Sequence, residues 1–324
     1  MGTVAYACYS KDKNERKLSS SGGIYPLIAR YILKQNGIVY SACYDTNLDV
    51  RHYAVSNEQE LRDSQGSKYV ESTLGDTFRQ IADTLKHQRK TLFVGTPCQC
   101  AGLIQYLTLV SCPMDNLIVM DFVCHGIPSR KAWHSYLDSR KRNSKPVVKV
   151  NMRHKISGWS HGNYSWEFED SLGNRTYTYQ RKVSYMKGMI ANLYLRPSCY
   201  ECRFKGTERQ TDLTVGDYWG VWNLQPEMDD NKGTSLILLH TEKGKSLFNE
   251  IASSLTYKEA ELEGAVKANP CIAVSVKRPQ KRDSFFEQLE DGKDFEKIVH
   301  HLTKVNIFRR VYCKFKKLVK GFIK

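Results

Sequence analysis

Apolar positions along the chain follow two spacings. Ile24, Leu27, Ile28, Tyr31 and Ile32 recur every three or four residues, which predicts a helix that opens at the Ser19-Ser20-Ser21-Gly22-Gly23 turn. Residues 38–44 and 50–55 read as strands joined by a polar turn. A helix over 57–65 and another over 77–87 frame a loop, Gly66-Ser67-Lys68-Tyr69-Val70, which sets a cation, a hydroxyl and an aromatic ring beside a glycine. Two short apolar runs, 91–94 and 117–123, read as buried strands, each followed by a helix, from Ala101 and after Ser129. Residues 147–153, 164–170 and 175–179 read as a more antiparallel region with a hairpin turn at Gly173-Asn174. Helices are expected over 186–195, 244–255 and 283–297, and a strand over 234–240. The pattern is α/β: a mixed β-sheet core flanked by helices, in two subdomains.

At the C-terminus, Ile307, Phe308, Val311, Phe315, Leu318, Val319 and Phe322 would line one side of a helix, with lysines and arginines on its flanks and opposite face. Such a basic amphipathic helix suits either docking on the body or peripheral contact with an anionic membrane. It also changes the meaning of the net charge. Of the formal +15, eight Lys and Arg with no Asp or Glu fall within 303–324, so nucleic-acid binding is not expected of the main body. No charged segment followed by a long apolar run opens the chain, and no run of eighteen apolar residues occurs. A cytoplasmic protein, peripheral at most to the inner face of the membrane, is expected.

In a reducing compartment, clustered cysteines favour metal or redox chemistry over disulfides. Cys199 and Cys202 stand two residues apart in a loop punctuated by Pro197 and Gly206. Such a pair is open to three readings: half of a metal site, a redox dithiol, or coincidence. Cys98 and Cys124 each follow a buried strand, where α/β proteins place ligands, and share one rim if those strands are neighbours. His125 is a ligand, a proton donor or a structural histidine. The Ser/Gly turn is either an ordinary cap or an anion site at a helix start.

The order Ser-Ser-Ser-Gly-Gly, Gly-Ser-Lys-Tyr-Val, Gly-Thr-Pro-Cys-Gln, Cys-His-Gly-Ile-Pro-Ser, Arg-Pro-Ser-Cys-x-x-Cys-x-Phe-Lys-Gly, Asp-Leu-Thr-x-Gly-Asp-x-Trp-Gly and a Gly-Thr-Ser run resembles the coenzyme F420 hydrogenase/dehydrogenase beta-subunit family, with its bacterial polysaccharide-biosynthesis relatives, from about Val4 to about Cys271. The resemblance implies an oxidoreductase that uses a flavin, FAD, and a [4Fe–4S] cluster to relay electrons between a one-electron carrier and a small-molecule substrate or coenzyme. It implies cluster ligation by Cys98, Cys124, Cys199 and Cys202. It places the flavin at Ser19, Ser20, Ser21, Gly22, Gly23, Ser67, Lys68, Tyr69 and Thr96, with Lys68 or His125 serving the reduced flavin. The implied division is a flavin-binding subdomain over 1–95, an iron–sulfur/flavin domain over 96–280 and a helical basic tail over 281–324. Many relatives carry a ferredoxin-like module with repeated cysteine runs. This chain has none, so a separate ferredoxin-like carrier is expected. A reading from another class is a non-catalytic scaffold of a glycan-assembly complex, stapled by zinc on four cysteines.

Overall fold

The computed structural model describes residues 2–142 and 145–304. In chain order the elements are β1 (Val4–Ser10), α1 (Lys13–Leu18), α2 (Ile24–Lys34), β2 (Ile38–Tyr44), β3 (Val50–Val55), α3 (Glu58–Ser64), β4 (Ser72–Thr73), α4 (Thr77–Lys86), β5 (Thr91–Gly95), α5 (Pro97–Leu109), β6 (Leu117–Phe122) and α6 (Arg130–Lys141). Then follow β7 (Val147–His154), β8 (Ser165–Asp170), β9 (Arg175–Tyr179), α7 (Ser184–Ile190), β10 (Leu213–Asp217), α8 (Val221–Leu224), β11 (Ser235–Leu239), α9 (Glu242–Ile251), β12 (Leu255–Glu259), α10 (Leu262–Ala268), α11 (Arg282–Glu290) and α12 (Phe295–Thr303).

Nine strands form a mixed sheet in the order β12-β1-β11-β10-β6-β5-β2-β3-β4. Its centre, β10-β6-β5-β2, is parallel. Strand β11 runs antiparallel to both β10 and β1, so β1 points the same way as the parallel set. Side chains alternate across the sheet, as strand geometry requires. Leu92, Met120 and Ile237 pack with Ile24, Ile28 and Phe248 of α2 and α9 on one face. Phe93 and Val119 pack with Ile81 and Leu103 of α4 and α5 on the other. A second sheet, β7-β8-β9, closes on α6, α7, α11 and α12 through an aromatic core that includes Trp133, Tyr136, Trp166, Tyr185, Tyr194 and Phe295. The large sheet takes strands from both sides of the 95/96 division, and α11 and α12, from beyond 280, complete the core of the small one.

Several expected boundaries move, each for a local reason. Helix α5 starts at Pro97 and not at Ala101, because Thr96 and Gln99 form a capping box and proline suits the first turn. Helix α7 ends at Ile190 and not at Leu195. Asn192 takes a left-handed φ of 58° there, and Leu195 bridges to Pro128. The stretch expected as one helix over 283–297 is two, broken at Gly292, whose φ is 74°, and restarted by the Asp294 N-cap. Strands β1, β4, β10 and β12 carry no clear alternation and were not expected. The apolar tail stripe from Ile307 and Cys313 lie outside the described residues.

Two imidazoles, His52 buried and His240 partly buried, tie strands together. His52 Nε2–H donates to the Val94 carbonyl at 3.0 Å and its ring stacks on Phe93. His240 lies between the hydroxyls of Thr3 and Thr214, at 3.1 and 2.8 Å. Burial lowers the pKa of each from 6.5 to about 4. The unfolded chain therefore takes up protons at a higher pH than the folded one, and stability present above 6.5 is lost as pH falls toward 4. Each histidine contributes up to about 1.4 kcal/mol per pH unit within that window. The urea midpoint is expected to drop between about pH 7 and pH 5, where carboxylates are still largely ionised, and His240→Gln should flatten the slope. Equal midpoints at the two pH values would contradict this account.

Candidate functional site

The carboxyl ends of β1, β2, β5, β6 and β10 lie along one rim of the sheet, the edge where open α/β sheets bind ligands. The motifs singled out in the sequence come after these ends. Ser19–Gly23 follows β1 by way of α1. Thr96 and Cys98 follow β5, Cys124 and His125 follow β6, and Trp219 follows β10. The loop through residues 66–73 joins them. Ser67 donates its N–H and its hydroxyl to Ser20 Oγ at 2.7 and 2.9 Å. Gln99 Nε2, in the first turn of α5, donates to Ser72 Oγ at 2.9 Å. Glu71 pairs with Arg196 of the Cys199 loop at 3.4 Å. The two motifs expected at the flavin thus touch each other and border the cysteines.

Within the Ser/Gly turn the roles divide. Ser20 and Ser21 stay partly exposed, whereas Gly22 and Gly23 are buried. A Cβ on Gly22 would come within 2.5 Å of the Cys8 carbonyl oxygen and 2.9 Å of Ser235 N, so that glycine is required by contact with β1 and β11. Gly23 takes φ 84° and packs on Ser10 and Arg16. Ser19 is buried, and its hydroxyl has no partner. Ser21 Oγ donates to the Thr234 carbonyl at 2.9 Å. Lys68 donates to the carbonyls of Ser64, Gln65 and Gly66 at 2.9, 3.0 and 3.2 Å, so all three of its donors are engaged at the C-terminus of α3. Burial lowers its pKa to about 8. Thr96 Oγ1 lies 3.1 Å from Cys98 Sγ.

Cys98, Cys124, Cys199 and Cys202 come together. The Cys124 thiol is pushed up to about 12, first by burial; Lys205 opposes this, while Cys199, Cys98 and Cys202 add to it. Burial also raises Cys199; the Ile127 N–H, donated to its sulfur at 3.3 Å, lowers it, and Cys98 and Cys202 raise it. Cys98 sits in the first turn of α5. Lys205 Nζ donates to the backbone carbonyls of Cys124 and, at 2.7 Å, Cys271. Cys8, Cys43, Cys100 and Cys112 are buried elsewhere in the cores, Cys100 with its S–H toward the Met120 carbonyl. Among the described residues, no three His, Cys, Asp or Glu side chains are drawn together as ligands of a single metal ion.

His125 stands between two partners. Its Nε2–H donates to Asn192 Oδ1 at 2.7 Å, which leaves Nδ1 to accept the Cys271 S–H at 3.3 Å. Burial lowers its pKa, so the ring is held neutral.

Arg153 was not anticipated from the sequence, and it connects three motifs. Its side chain is 2% exposed, and it pairs with Asp217 at 2.7 Å. It also donates to the Tyr69 hydroxyl and the Ser20 carbonyl, both at 3.2 Å, and lies over the Tyr164 and Trp219 rings. Burial works against its charge, yet Asp217 with Tyr69 and Tyr164 holds its pKa above the usual arginine value. Lys155, two residues on, donates to the Arg16 and Ser21 carbonyls, and burial with the charges of Arg16 and Arg153 lowers it to about 7. The only local signal was a basic run, Arg153-His154-Lys155, at the end of an expected strand. Asp217→Asn should leave the guanidinium buried without its counter-charge and cost about 3–5 kcal/mol in denaturant unfolding. A loss below about 1 kcal/mol, the worth of an exposed pair, would mean that Arg153 reaches water.

Three comparisons bear on this arrangement. Among solved structures, the chain is similar to a chain of the F420-reducing [NiFe] hydrogenase complex from Methanosarcina barkeri, solved as a xenon derivative. The identity is 16%, the coverage is 90% of this chain and 94% of that one, and the TM-score is 0.55, a likeness that shows the fold. Comparison with curated proteins gives no match. The family model for the C terminus of the coenzyme F420 hydrogenase/dehydrogenase beta subunit matches residues 88–264, more than half of the 324 residues and the span that holds the four converging cysteines. The chain therefore belongs to the coenzyme F420 hydrogenase/dehydrogenase beta-subunit family.

Proposed function

We propose that the protein is a flavin- and [4Fe–4S]-dependent oxidoreductase that passes electrons between a one-electron carrier and a small-molecule substrate or coenzyme. The observation that carries this reading is the convergence of Cys98, Cys124, Cys199 and Cys202, a complete thiolate set for one cluster. Four thiolates on one zinc would stand about 3.8 Å apart, given Zn–S bonds of about 2.3 Å; each on its own iron, they stand further apart. Among the described residues no three or more His, Cys, Asp or Glu are gathered as metal ligands, so iron, sulfide and zinc assays decide between the two. When bound, the cluster supplies single-electron transfer and the flavin supplies hydride exchange.

The chain's own groups prepare this site. Burial disfavours thiolates, so ligation must release protons. Lys205 and the Ile127 N–H lower that cost at Cys124 and Cys199. The same N–H–sulfur bond would tune a bound cluster's potential. Ser20, Ser67, Tyr69 and Thr96 would contact the flavin along the rim. Lys68 would add positive charge from beneath them, and its three carbonyl bonds fit it to an electrostatic role better than to proton transfer.

Anaerobically purified protein should contain about four irons and four sulfides per chain with a bound flavin. Cys202→Ser should lose the iron, whereas Cys100→Ser, in the α5 core, should keep it. Stoichiometric zinc and no sulfide would overturn the reading in favour of the scaffold. For the flavin, Ser67→Tyr is the appropriate probe, because a Gly22 substitution would disturb β1 and β11. Ser67→Tyr should lower flavin content to background while circular dichroism stays native. Full flavin content in that variant would put the flavin elsewhere.

A further inference from the structure

The segment that carries Cys199 and Cys202, and the segment hydrogen-bonded to it through Ser275, expose both apolar and basic side chains. Phe204 is 41% exposed and Val274 is 61% exposed. They belong to two segments that meet at the thiols. The Cys202 N–H donates to Ser275 Oγ at 2.9 Å, and Asn192 Nδ2 donates to the Lys277 carbonyl at 3.4 Å. Lys205 joins the same segments from beneath, through the carbonyls of Cys124 and Cys271.

Charge on these segments is one-sided. Residues 196–209 and 267–282 together contain nine Lys and Arg against two Glu. Arg203 and Lys277 are exposed on either side of the apolar pair. Arg196 pairs with Glu71 at 3.4 Å and Arg209 with the buried Asp121 at 2.9 Å, so Arg203 and Lys277 present the exposed charge. Arg278 is anchored by Asp283 at 2.6 Å and is half-exposed. A surface of this kind steers an acidic partner by long-range attraction and seats it on the apolar centre. Its position over the thiols means that a docked partner lies against whatever those thiols hold.

We infer that this surface, centred on Phe204 and Val274 and bordered by Arg196, Arg203, Lys277 and Arg278, is the docking site of an acidic electron-carrier protein. The inference rests on the redox reading above, but it concerns protein binding, which is measurable without turnover. Charge complementarity selects the occupant. An anionic membrane would also be attracted, but a membrane accepts no electrons and has no reason to cover the thiols.

The test uses the full chain and an acidic ferredoxin as probe, with binding followed by calorimetry at about 50 and 300 mM salt, where screening lengths differ more than twofold. Arg203→Glu/Lys277→Glu should weaken the dissociation constant about tenfold or more at low salt and little at high salt. Lys34→Glu on α2 should leave it unchanged. Phe204→Ala should weaken binding at both salt concentrations. Ferredoxin-dependent reduction should fall in step in the double variant, while reduction by dithionite-reduced methyl viologen, which needs no protein interface, should not. Unchanged ferredoxin affinity in the double variant would overturn the proposal. So would a double variant whose only defect is binding to phosphatidylglycerol vesicles, which would make the surface a membrane contact. Absence of iron from the wild-type protein would fall on the redox reading instead, and the binding measurement would still stand or fail by itself.

Discussion

A buried guanidinium organises the rim. Arg153 ends β7 of the small sheet, yet its partners belong to the large one: Asp217 at the end of β10, Ser20 after β1, and Tyr69 in the loop that precedes β4. Removing a charge from water costs several kcal/mol, and that cost is offset only if the geometry is well made. Here it is met by a carboxylate at 2.7 Å, a phenol, a carbonyl and two aromatic faces. Because each partner comes from a different segment, the pair is satisfied only when all of them are in place. The same contacts set Ser20 beside Ser67, so the polar lining of the rim depends on a charge that does not face the solvent.

The thiols show the opposite balance. Burial pushes Cys124 and Cys199 toward their neutral forms, and each neighbouring thiolate adds to that push. Such a group is costly to ionise and favourable to ligate, because a bound cation removes the mutual repulsion. Lys205 and the Ile127 N–H supply partial compensation in advance. The nearby Cys271 is kept out of the set by a different partner: its sulfur faces His125 and its carbonyl accepts from Lys205. His125 follows Cys124 directly, yet its ring points to Asn192 and Cys271 and is held neutral between them. Adjacent residues thus serve two separate hydrogen-bonded groups.

Legibility of the sequence followed the range of the forces involved. Strands β5 and β6 are covered on both faces and show as short apolar runs, and helices α2 and α4 bury one face that is visible as periodicity. Strands β1 and β10 lie in the interior of the sheet with short mixed sequences such as Val4-Ala-Tyr-Ala-Cys, where pairing and not local preference decides. The early end of α7 depends on Asn192 turning left-handed, and the split between α11 and α12 depends on Gly292; both residues are visible, but their weight against a helical pattern is not. Among site residues, the shared rim of Cys98 and Cys124 was readable, because both follow buried strands that prove to be parallel neighbours. Arg153 was not, since an arginine at a strand end looks like ordinary surface until its burial is known.

Charge distribution gives the last step. The formal net charge of +15 has two sources: a tail with eight cations and no acid, and a body whose excess of seven is uneven, with basic runs over 130–155 as well as beside the thiols. Elsewhere on the body many cations are neutralised at short range, as Arg30 is by Glu15 and Glu58 on α1 and α3, and Arg16 by Asp230. Beside Cys199 and Cys202, Glu201 and Glu208 are the acidic residues within 196–209, and 267–282 contains none. Local imbalance, more than total charge, sets the potential a partner meets, because fields from distant exposed charges are screened within about 10 Å at ordinary salt. Beside the thiols Arg196 pairs with Glu71, Arg209 with Asp121 and Arg278 with Asp283, so the charge a negative partner would read there is that of exposed residues such as Arg203 and Lys277.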